Sequence, residues 1–268
     1  RDAGQLRITA QLLDAATGTV KTLNRQRDEA WVAGPGIGWS MGGANIGWID
    51  ENNCWFQSEA SGFSHLYTVN VNNGHTRQLT SGNYEVQDAQ LSPDKHYFYI
   101  TTNEVHPGEK QFYRISVNGG KAERITTMKG ANEVTVSPDG KWLAVRYSYS
   151  NKPWELYLQQ NTPGSKAVQV TSLAQSDEFK AYHWRDPEVI TFTARDPQPV
   201  YARLFTPDPA KNNGAAVIFV HGAGYLQNAH KWWSLYFREY MFHNLLADRG
   251  FTVLDMDYRG SAGYGRNW

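Results

Sequence analysis

The sequence has very little cysteine and no excess of either charge. Cys54 is the single cysteine among 268 residues, which excludes an intrachain disulfide framework and a cysteine-rich zinc site. Lys plus Arg and Asp plus Glu each number 26, so the formal net charge is zero. A dedicated nucleic-acid-binding protein would carry a basic excess, and we expect no nucleic-acid partner. No metal or cofactor motif is present, and none is expected.

Long hydrophobic runs are also missing. The longest apolar run of interest, residues 215–220, is far shorter than the roughly 20 residues that span a bilayer. No basic-then-apolar signal segment opens the chain. We therefore expect a soluble protein without a membrane-spanning segment, either cytoplasmic or periplasmic or secreted. The chain starts at Arg1 inside an alternating pattern and without Met, so we expect further residues before it.

Aromatic residues, in contrast, are abundant. They make up 13% of the chain, which excludes intrinsic disorder and favours β structure. Three markers recur with one period of about 45 residues, a length typical of a repeat architecture. The markers are Ser-Pro-Asp at 92–94 and 137–139; a strand tyrosine at Tyr67, Tyr113, Tyr157 and Tyr201; and an apolar-Thr pair at 79–80, 125–126 and 170–171.

Each period reads as four short strands joined by tight turns. Asn and Gly at 72–74 and 118–120, and Thr-Pro-Gly at 162–164, supply turns because these residues adopt or favour turn geometry. About 45 residues holding four strands form one blade of a β-propeller. We predict about four blades in a partial propeller over residues 1–200. A β-sandwich with accidental spacing is the alternative.

The pattern changes after Tyr201. The apolar run at 215–220 predicts a strand buried on both faces, and the apolar residues spaced near 3.6 over 231–249 predict a helix. A second buried strand is expected at 251–258, before a glycine-rich loop. Strand, His-Gly loop, helix and strand are typical of the opening of an α/β-hydrolase sheet. We therefore assign residues 201–268 to the N-terminal part of such a domain.

This combination resembles the prolyl oligopeptidase family of serine peptidases, most closely its dipeptidyl-peptidase-like branch. The resemblance rests on SEASGFSHLY at 58–67, GNYEV at 82–86, the two Ser-Pro-Asp repeats, VIFVHGAG at 217–224 and DYRGSAGYGRNW at 257–268. It implies a serine-type peptidase with a propeller that restricts access to short peptides. In that family the catalytic Ser, Asp and His follow the last of these motifs, so we expect the triad after Trp268 and no catalytic residue in this chain.

The candidate oxyanion loop is the one functional element that we expect in the chain. The backbone N–H groups of Gly222 and Ala223 are its first candidates, because glycine-rich backbone can approach a substrate oxygen closely. His221 stands where dipeptidyl peptidases carry a tyrosine donor, and it either acts directly or orients the loop. Tyr225 is a further candidate donor. His230 and His243 are not assigned as the catalytic base.

Two other features invite a catalytic interpretation. GWSMGG at 38–43 fits the G-x-S-x-G nucleophile pattern, but polar, strand-like sequence follows Ser40 where an elbow needs a helix, so we predict a structural hairpin. Glu85 and Glu133 resemble carboxylates that would hold a substrate amine. No paired Glu-Glu motif accompanies them, and we assign them no site.

The sequence leaves other functions open. A non-catalytic propeller binding module and an acylaminoacyl- or esterase-type hydrolase on the same scaffold are the alternatives to an oligopeptidase or dipeptidyl peptidase. The expected partners are a short peptide substrate and either the remainder of the polypeptide or a second copy, which would cover the apolar faces of the truncated sheet.

Overall fold

The chain forms two compact units built mostly of strands. The computed structural model describes residues 7–29, 32–38, 43–222 and 226–268. The first unit takes in residues 1–104, 113–124 and 264–267, and the second takes in 105–112, 125–263 and 268.

Three four-stranded antiparallel sheets, each in chain order, correspond to three predicted blades. A two-stranded hairpin, β1 (Arg7–Leu13) and β2 (Val20–Arg27), precedes them. The blades are β3 (Ile46–Trp48), β4 (Asn53–Ser58), β5 (His65–Asn70) and β6 (Thr76–Gln78); β7 (Val86–Leu91), β8 (Tyr97–Thr102), β9 (Gln111–Ser116) and β10 (Glu123–Arg124); and β11 (Ala131–Val136), β12 (Trp142–Tyr149), β13 (Lys152–Gln160) and β14 (Val168–Gln169). The prediction of a mainly β, blade-like fold is confirmed.

The Ser-Pro-Asp repeats are hairpin turns with one geometry. Ser92 Oγ donates to Asp94 Oδ1 and accepts from the backbone N–H of Tyr97. Ser137 Oγ makes the equivalent bonds to Asp139 and to the N–H of Trp142. The same turn therefore connects the first and second strands of the last two blades.

The apolar-Thr pairs close each blade by the same hydrogen bonds. Thr80, Thr126 and Thr171 each accept a bond from a backbone N–H at the third strand of their blade. The preceding apolar residue donates its N–H to the carbonyl of the same third-strand residue. The repeat of about 45 residues in the sequence therefore reflects a hydrogen bond that recurs at the edge of each sheet, as well as the recurring strands.

The fourth tyrosine does not mark a blade. Tyr201 lies in β16 (Pro199–Phe205), which pairs with β15 (Glu188–Thr193) and with β18 (Thr252–Met256). With β17 (Ala216–Val220) these strands form one sheet in the order β15-β16-β18-β17. The spacing of Tyr201 from Tyr157 matches the blade period, but its strand joins this sheet instead. The sheet therefore includes residues from before position 201, where we placed the boundary.

The helix is shorter than the periodicity predicts. The α2 helix spans Phe237–Asp248, after the short α1 helix at Asp177–Ala181. Residues 231–236 are not helical, and two of their N–H groups bond to other parts of the chain: Lys231 N–H donates to the Gly108 carbonyl and Trp233 N–H to Ser148 Oγ. The expected stop at Gly250 is confirmed, with a positive φ of 90° after the last turn.

One face of the mixed sheet is covered by α2, and the other is open. Phe205, Val253 and Val217 are paired across the sheet and pack with Tyr240 of the helix. On the opposite face, Ile218 and Val220 are 64% and 52% exposed. The prediction that β17 is buried on both faces is therefore wrong for this chain, in which β17 is an edge strand of the described sheet.

Three sequence motifs meet within the first unit. Arg266 N–H donates to the carbonyl of Gly62, and Gly265 N–H donates to Glu85 Oε1 at 3.2 Å. Gly265 has a φ of 81°, and a Cβ there would stand 2.7 Å from the Gly62 carbonyl oxygen. The motifs SEASGFSHLY, GNYEV and GYGRNW thus form one docking contact, which needs glycine at position 265.

Glu85 is almost fully buried in this contact. Its Oε2 atom has no hydrogen-bond partner among the described residues. Burial raises the pKa of Glu85 to about 7, and the nearby Glu59 carboxylate adds to the rise. Glu85 therefore favours a proton in the folded state below neutral pH.

We expect Thr126→Val to reduce the free energy of unfolding by about 1–3 kcal/mol. Thr126 is fully buried, accepts from Phe112 N–H and donates to Gln111 Oε1, and valine keeps the shape without either bond. Chemical denaturation measures the loss. Thr76→Val is the control at an exposed position of another blade, where water replaces the bond of the hydroxyl to the Gly74 carbonyl, and equal losses in both variants would contradict this account.

Glu85→Gln should stabilise the protein at pH 8 and leave it unchanged near pH 4. A raised folded-state pKa means that stability falls as pH rises from the ordinary value of 4.5 to about 7, here by about 3 kcal/mol. Glutamine keeps the acceptor for Gly265 and carries no charge. Denaturation midpoints at both pH values test this, with the exposed Glu51→Gln as control. A stabilisation independent of pH would count against it.

Candidate functional site

The carboxyl ends of β17 and β18 bring two loops together. The two strands are parallel, and Val220 pairs with Met256 at their ends. His221 and Asp257 follow directly, so they enter the same space. This is where parallel sheets place ligand and catalytic loops.

His221 is buried and surrounded by acceptors. Its Nδ1 lies 2.9 Å from the Gly222 carbonyl, and its Nε2 lies 3.0 Å from Ser261 Oγ and 3.4 Å from Asp257 Oδ1. A carbonyl and a carboxylate only accept, so both ring nitrogens are best protonated. Hydrogen bonding to Asp257 raises the pKa of His221, against the opposing effect of burial. The ring is therefore biased toward the imidazolium form.

Ser261, His221 and Asp257 do not form a catalytic triad, although the residue types match. In a triad, serine and aspartate bond to opposite ring nitrogens of the histidine. Here both approach Nε2, and Nδ1 bonds to the backbone. All three side chains are also buried. The contacts among these three side chains therefore hold the loop in place.

Asp257 organises the segment after the candidate oxyanion loop. Its Oδ1 accepts from Asn228 N–H at 2.7 Å, and its Oδ2 accepts from Ala229 N–H at 3.1 Å. One fully buried carboxylate therefore satisfies two backbone donors as well as facing His221. Such charge-assisted bonds are stronger than those between neutral groups.

A second buried carboxylate lies beside the first. Asp255 Oδ2 pairs with Arg203 at 2.5 Å, and Asp255 Oδ1 accepts from Asn228 Nδ2 at 2.9 Å. Burial alone would raise the pKa of Asp255, but the Arg203 guanidinium together with the side chains of His243 and Asn228 lowers it overall. The sequence interpretation missed Arg203 and Asp255. The sequence feature that marks them is one charged residue, of opposite sign, in each of two otherwise apolar strands.

The Gly222 carbonyl is held from two sides. His221 Nδ1 bonds to it, and the Tyr258 hydroxyl donates to it at 2.8 Å. The rings of His221 and Tyr258 lie against each other, with centroids 4.6 Å apart. The candidates Ala223 and Tyr225 lie outside the described residues, so the oxyanion assignment stays a prediction.

His230 and His243 of this unit are buried structural groups. His230 stacks on Trp232 with centroids 3.9 Å apart, and burial lowers its pKa. His243 packs edge-on against Phe205 and Phe219, with Nε2 3.5 Å from Asp255. Neither side chain reaches solvent, which agrees with assigning neither of them as the catalytic base.

The remaining sequence candidates take no part in this site. Glu133 pairs with Lys110 and Arg146, as a structural surface carboxylate does. Ser40 lies outside the described residues, and β3 rather than a helix is the next element after it. In the described ranges, no helix is long and apolar enough to cross a membrane. No cluster of three metal-ligating side chains occurs in that same part of the chain.

Several known proteins are similar to this chain. Probable dipeptidyl-aminopeptidase B of Coccidioides posadasii (strain C735) is 24% identical over 219 residues, covering 76% of this chain and 23% of its own. Probable dipeptidyl-aminopeptidase B of Uncinocarpus reesii is 23% identical over 291 residues, covering 97% and 29%. Dipeptidyl peptidase 4 of Trichophyton equinum is 25% identical over 221 residues, covering 79% and 28%. The chain spans about a quarter of the length of these relatives.

A family model gives the assignment. The model described as the dipeptidyl peptidase IV (DPP IV) N-terminal region matches residues 1–154, which is more than half of the chain. The match covers the hairpin and the first two blades and extends into the third. It confirms the resemblance to the dipeptidyl-peptidase-like branch of the prolyl oligopeptidase family. The chain belongs to the family of the dipeptidyl peptidase IV N-terminal region.

Proposed function

We propose that this chain is part of a propeller-gated serine peptidase that cleaves short peptides. Residues 1–200 contribute the partial propeller, and residues 201–268 contribute the start of an α/β-hydrolase domain. The observation that carries the proposal is the buried His221–Asp257 contact at the ends of the parallel strands β17 and β18. A binding module has no need of a loop anchored in this way.

The proposed role of residues 221–225 is to stabilise an oxyanion. Backbone N–H groups of Gly222 and Ala223 are the donors, because fixed donors aimed at a developing negative charge lower the barrier of acyl transfer. His221 and Tyr258 hold the Gly222 carbonyl from two sides, which fixes the start of this loop. In this account His221 is an orienting residue, and its charge favours an anion nearby. Tyr225 is a further donor candidate.

The nucleophile belongs to a part of the complete polypeptide that follows Trp268. There a serine, with Asp and His partners, would attack the peptide carbonyl and form an acyl-enzyme that water hydrolyses. The relatives bear names of dipeptidyl peptidases, which supports removal of dipeptides as the reaction. An acylaminoacyl- or esterase-type hydrolase shares all of these parts and differs in substrate.

A fluorophosphonate probe, which labels activated serines, tests the proposal. We expect it to label the complete polypeptide, which should also release the dye from dipeptide anilides with a free N-terminus. The 268-residue chain should remain unlabelled, and Ser40→Ala in the complete polypeptide should change kcat by less than a few-fold. Loss of a true nucleophile costs about 10⁶ in kcat. Labelling of the short chain at Ser40, or no labelling of the complete polypeptide, would refute the assignment.

The open apolar faces predict self-association of the isolated chain. On the mixed sheet, Leu204, Leu254 and Ile218 lie side by side, as do Met256 and Val220. The third blade also exposes apolar side chains on one face, namely Trp142, Leu156, Leu158, Val168 and Val170. The remainder of the polypeptide or a second copy would cover such surfaces.

We expect sedimentation of the 268-residue chain to show concentration-dependent oligomers. Ile218→Thr with Val220→Thr should shift the distribution toward monomer, because these substitutions remove exposed apolar area and keep β-branched side chains. Val105→Thr removes one exposed apolar side chain outside the four strands of this sheet and serves as the control. A monodisperse monomer of the unsubstituted chain at all concentrations would contradict the prediction.

A further inference from the structure

Residues 226–233, the segment that follows the candidate oxyanion loop, have no regular secondary structure but are firmly bonded. On one side, Asp257 holds the N–H groups of Asn228 and Ala229. On the other side lies the connection between β8 and β9, residues 105–110. The segment is therefore held between the end of the mixed sheet and residues 105–110, which belong to the same compact unit.

Three contacts join that loop to the segment. The carbonyl of Gly108 accepts from Lys231 N–H at 2.8 Å. Glu109 Oε1 pairs with Lys231 Nζ at 2.9 Å. The Pro107 carbonyl accepts from Gln227 Nε2 at 3.1 Å. Both main-chain and side-chain groups thus fix the position of one segment against the other.

The backbone at Gly108 packs so closely against residue 229 that no residue with a side chain fits at position 108. A Cβ at that position would lie 2.6 Å from the carbonyl oxygen of Ala229. The bonded pair beside it is largely removed from water, with the side chains of Lys231 and Glu109 17% and 7% exposed. Removing either partner of such a pair would leave the other charge buried without a partner, which is energetically costly. The contact therefore requires both Lys231 and Glu109.

We propose that Glu109, through Lys231 and beside Gly108, positions the 226–233 segment and thereby the candidate oxyanion loop. The inference rests on the proposed function, because the loop matters only if it binds an oxyanion. The link is Asp257: the same carboxylate that holds Asn228 and Ala229 also faces His221. A shift of the segment therefore changes the surroundings of His221. Glu109 and Lys231 are positioning residues and touch no substrate.

Amide hydrogen exchange on the 268-residue chain tests the positioning. We expect Glu109→Gln and Lys231→Met each to raise exchange in residues 226–233 about tenfold, equivalent to roughly 1.4 kcal/mol of opening free energy. The double variant should show no more than the larger single effect, since both act on one contact. The His221 ring, followed by NMR, should titrate at lower pH as Asp257 loses its fixed place.

The matched control is Arg114→Gln with Glu123→Gln, which removes a surface ion pair of 2.7 Å between β9 and β10. It should leave exchange in residues 226–233 unchanged. Unchanged exchange in the Glu109 and Lys231 variants, or additive effects in the double variant, would overturn the proposed positioning. These measurements use no substrate, so they decide it whether or not the complete polypeptide is a peptidase.

Kinetics of the complete polypeptide test the link to the oxyanion loop. If that link exists, kcat falls about tenfold in both variants while KM is retained, because the loop acts on the transition state. A variant with raised exchange and an unchanged kcat would overturn the link. Absence of peptidase activity in the unsubstituted protein would instead be a failure of the proposed function.

Discussion

The carboxylate of Asp257 is the group on which the site geometry depends. It is fully buried, faces His221 and holds two consecutive backbone N–H groups from the segment at 226–233. An isolated buried carboxylate would be strongly unfavourable, and here the donors arranged around it compensate. The sheet end, the candidate oxyanion loop and the segment therefore share one anchor. None of the three can move far without leaving a buried charge unpaired.

The blade repeat was readable from the sequence because its causes are local. A serine that bonds two residues ahead, and a threonine that closes the edge of its own sheet, recur wherever the same turn recurs. Such contacts span at most one period. The spacing of the fourth tyrosine does not reveal its sheet, because strand pairing across distant parts of the chain decides which sheet a strand joins. Tyr201 and Tyr157 are both partly buried, although their strands belong to different sheets.

The site was only partly readable. The two strands were predicted at the right place, since apolar runs mark them, whereas the oxyanion role of the His-Gly loop stays a prediction. The start of α2 was predicted too early, and Lys231 and Trp233 instead bond to groups far away in the sequence. The network around Asp257 was also missed. Its members come from positions 203 to 261, and their types acquire meaning only when the sheet brings them together.

The pairing of β16 with β18 constrains how this protein can be divided. Arg203, on β16, is the cation that compensates Asp255, on β18, and both side chains are almost fully buried. A fragment of this sheet beginning after β16 would keep the aspartate and lose the arginine. Leaving one buried charge without its partner costs about 3–5 kcal/mol, a large share of a domain's stability. A separable fragment that contains this sheet must therefore begin before Pro199, so that β16 stays paired with β18.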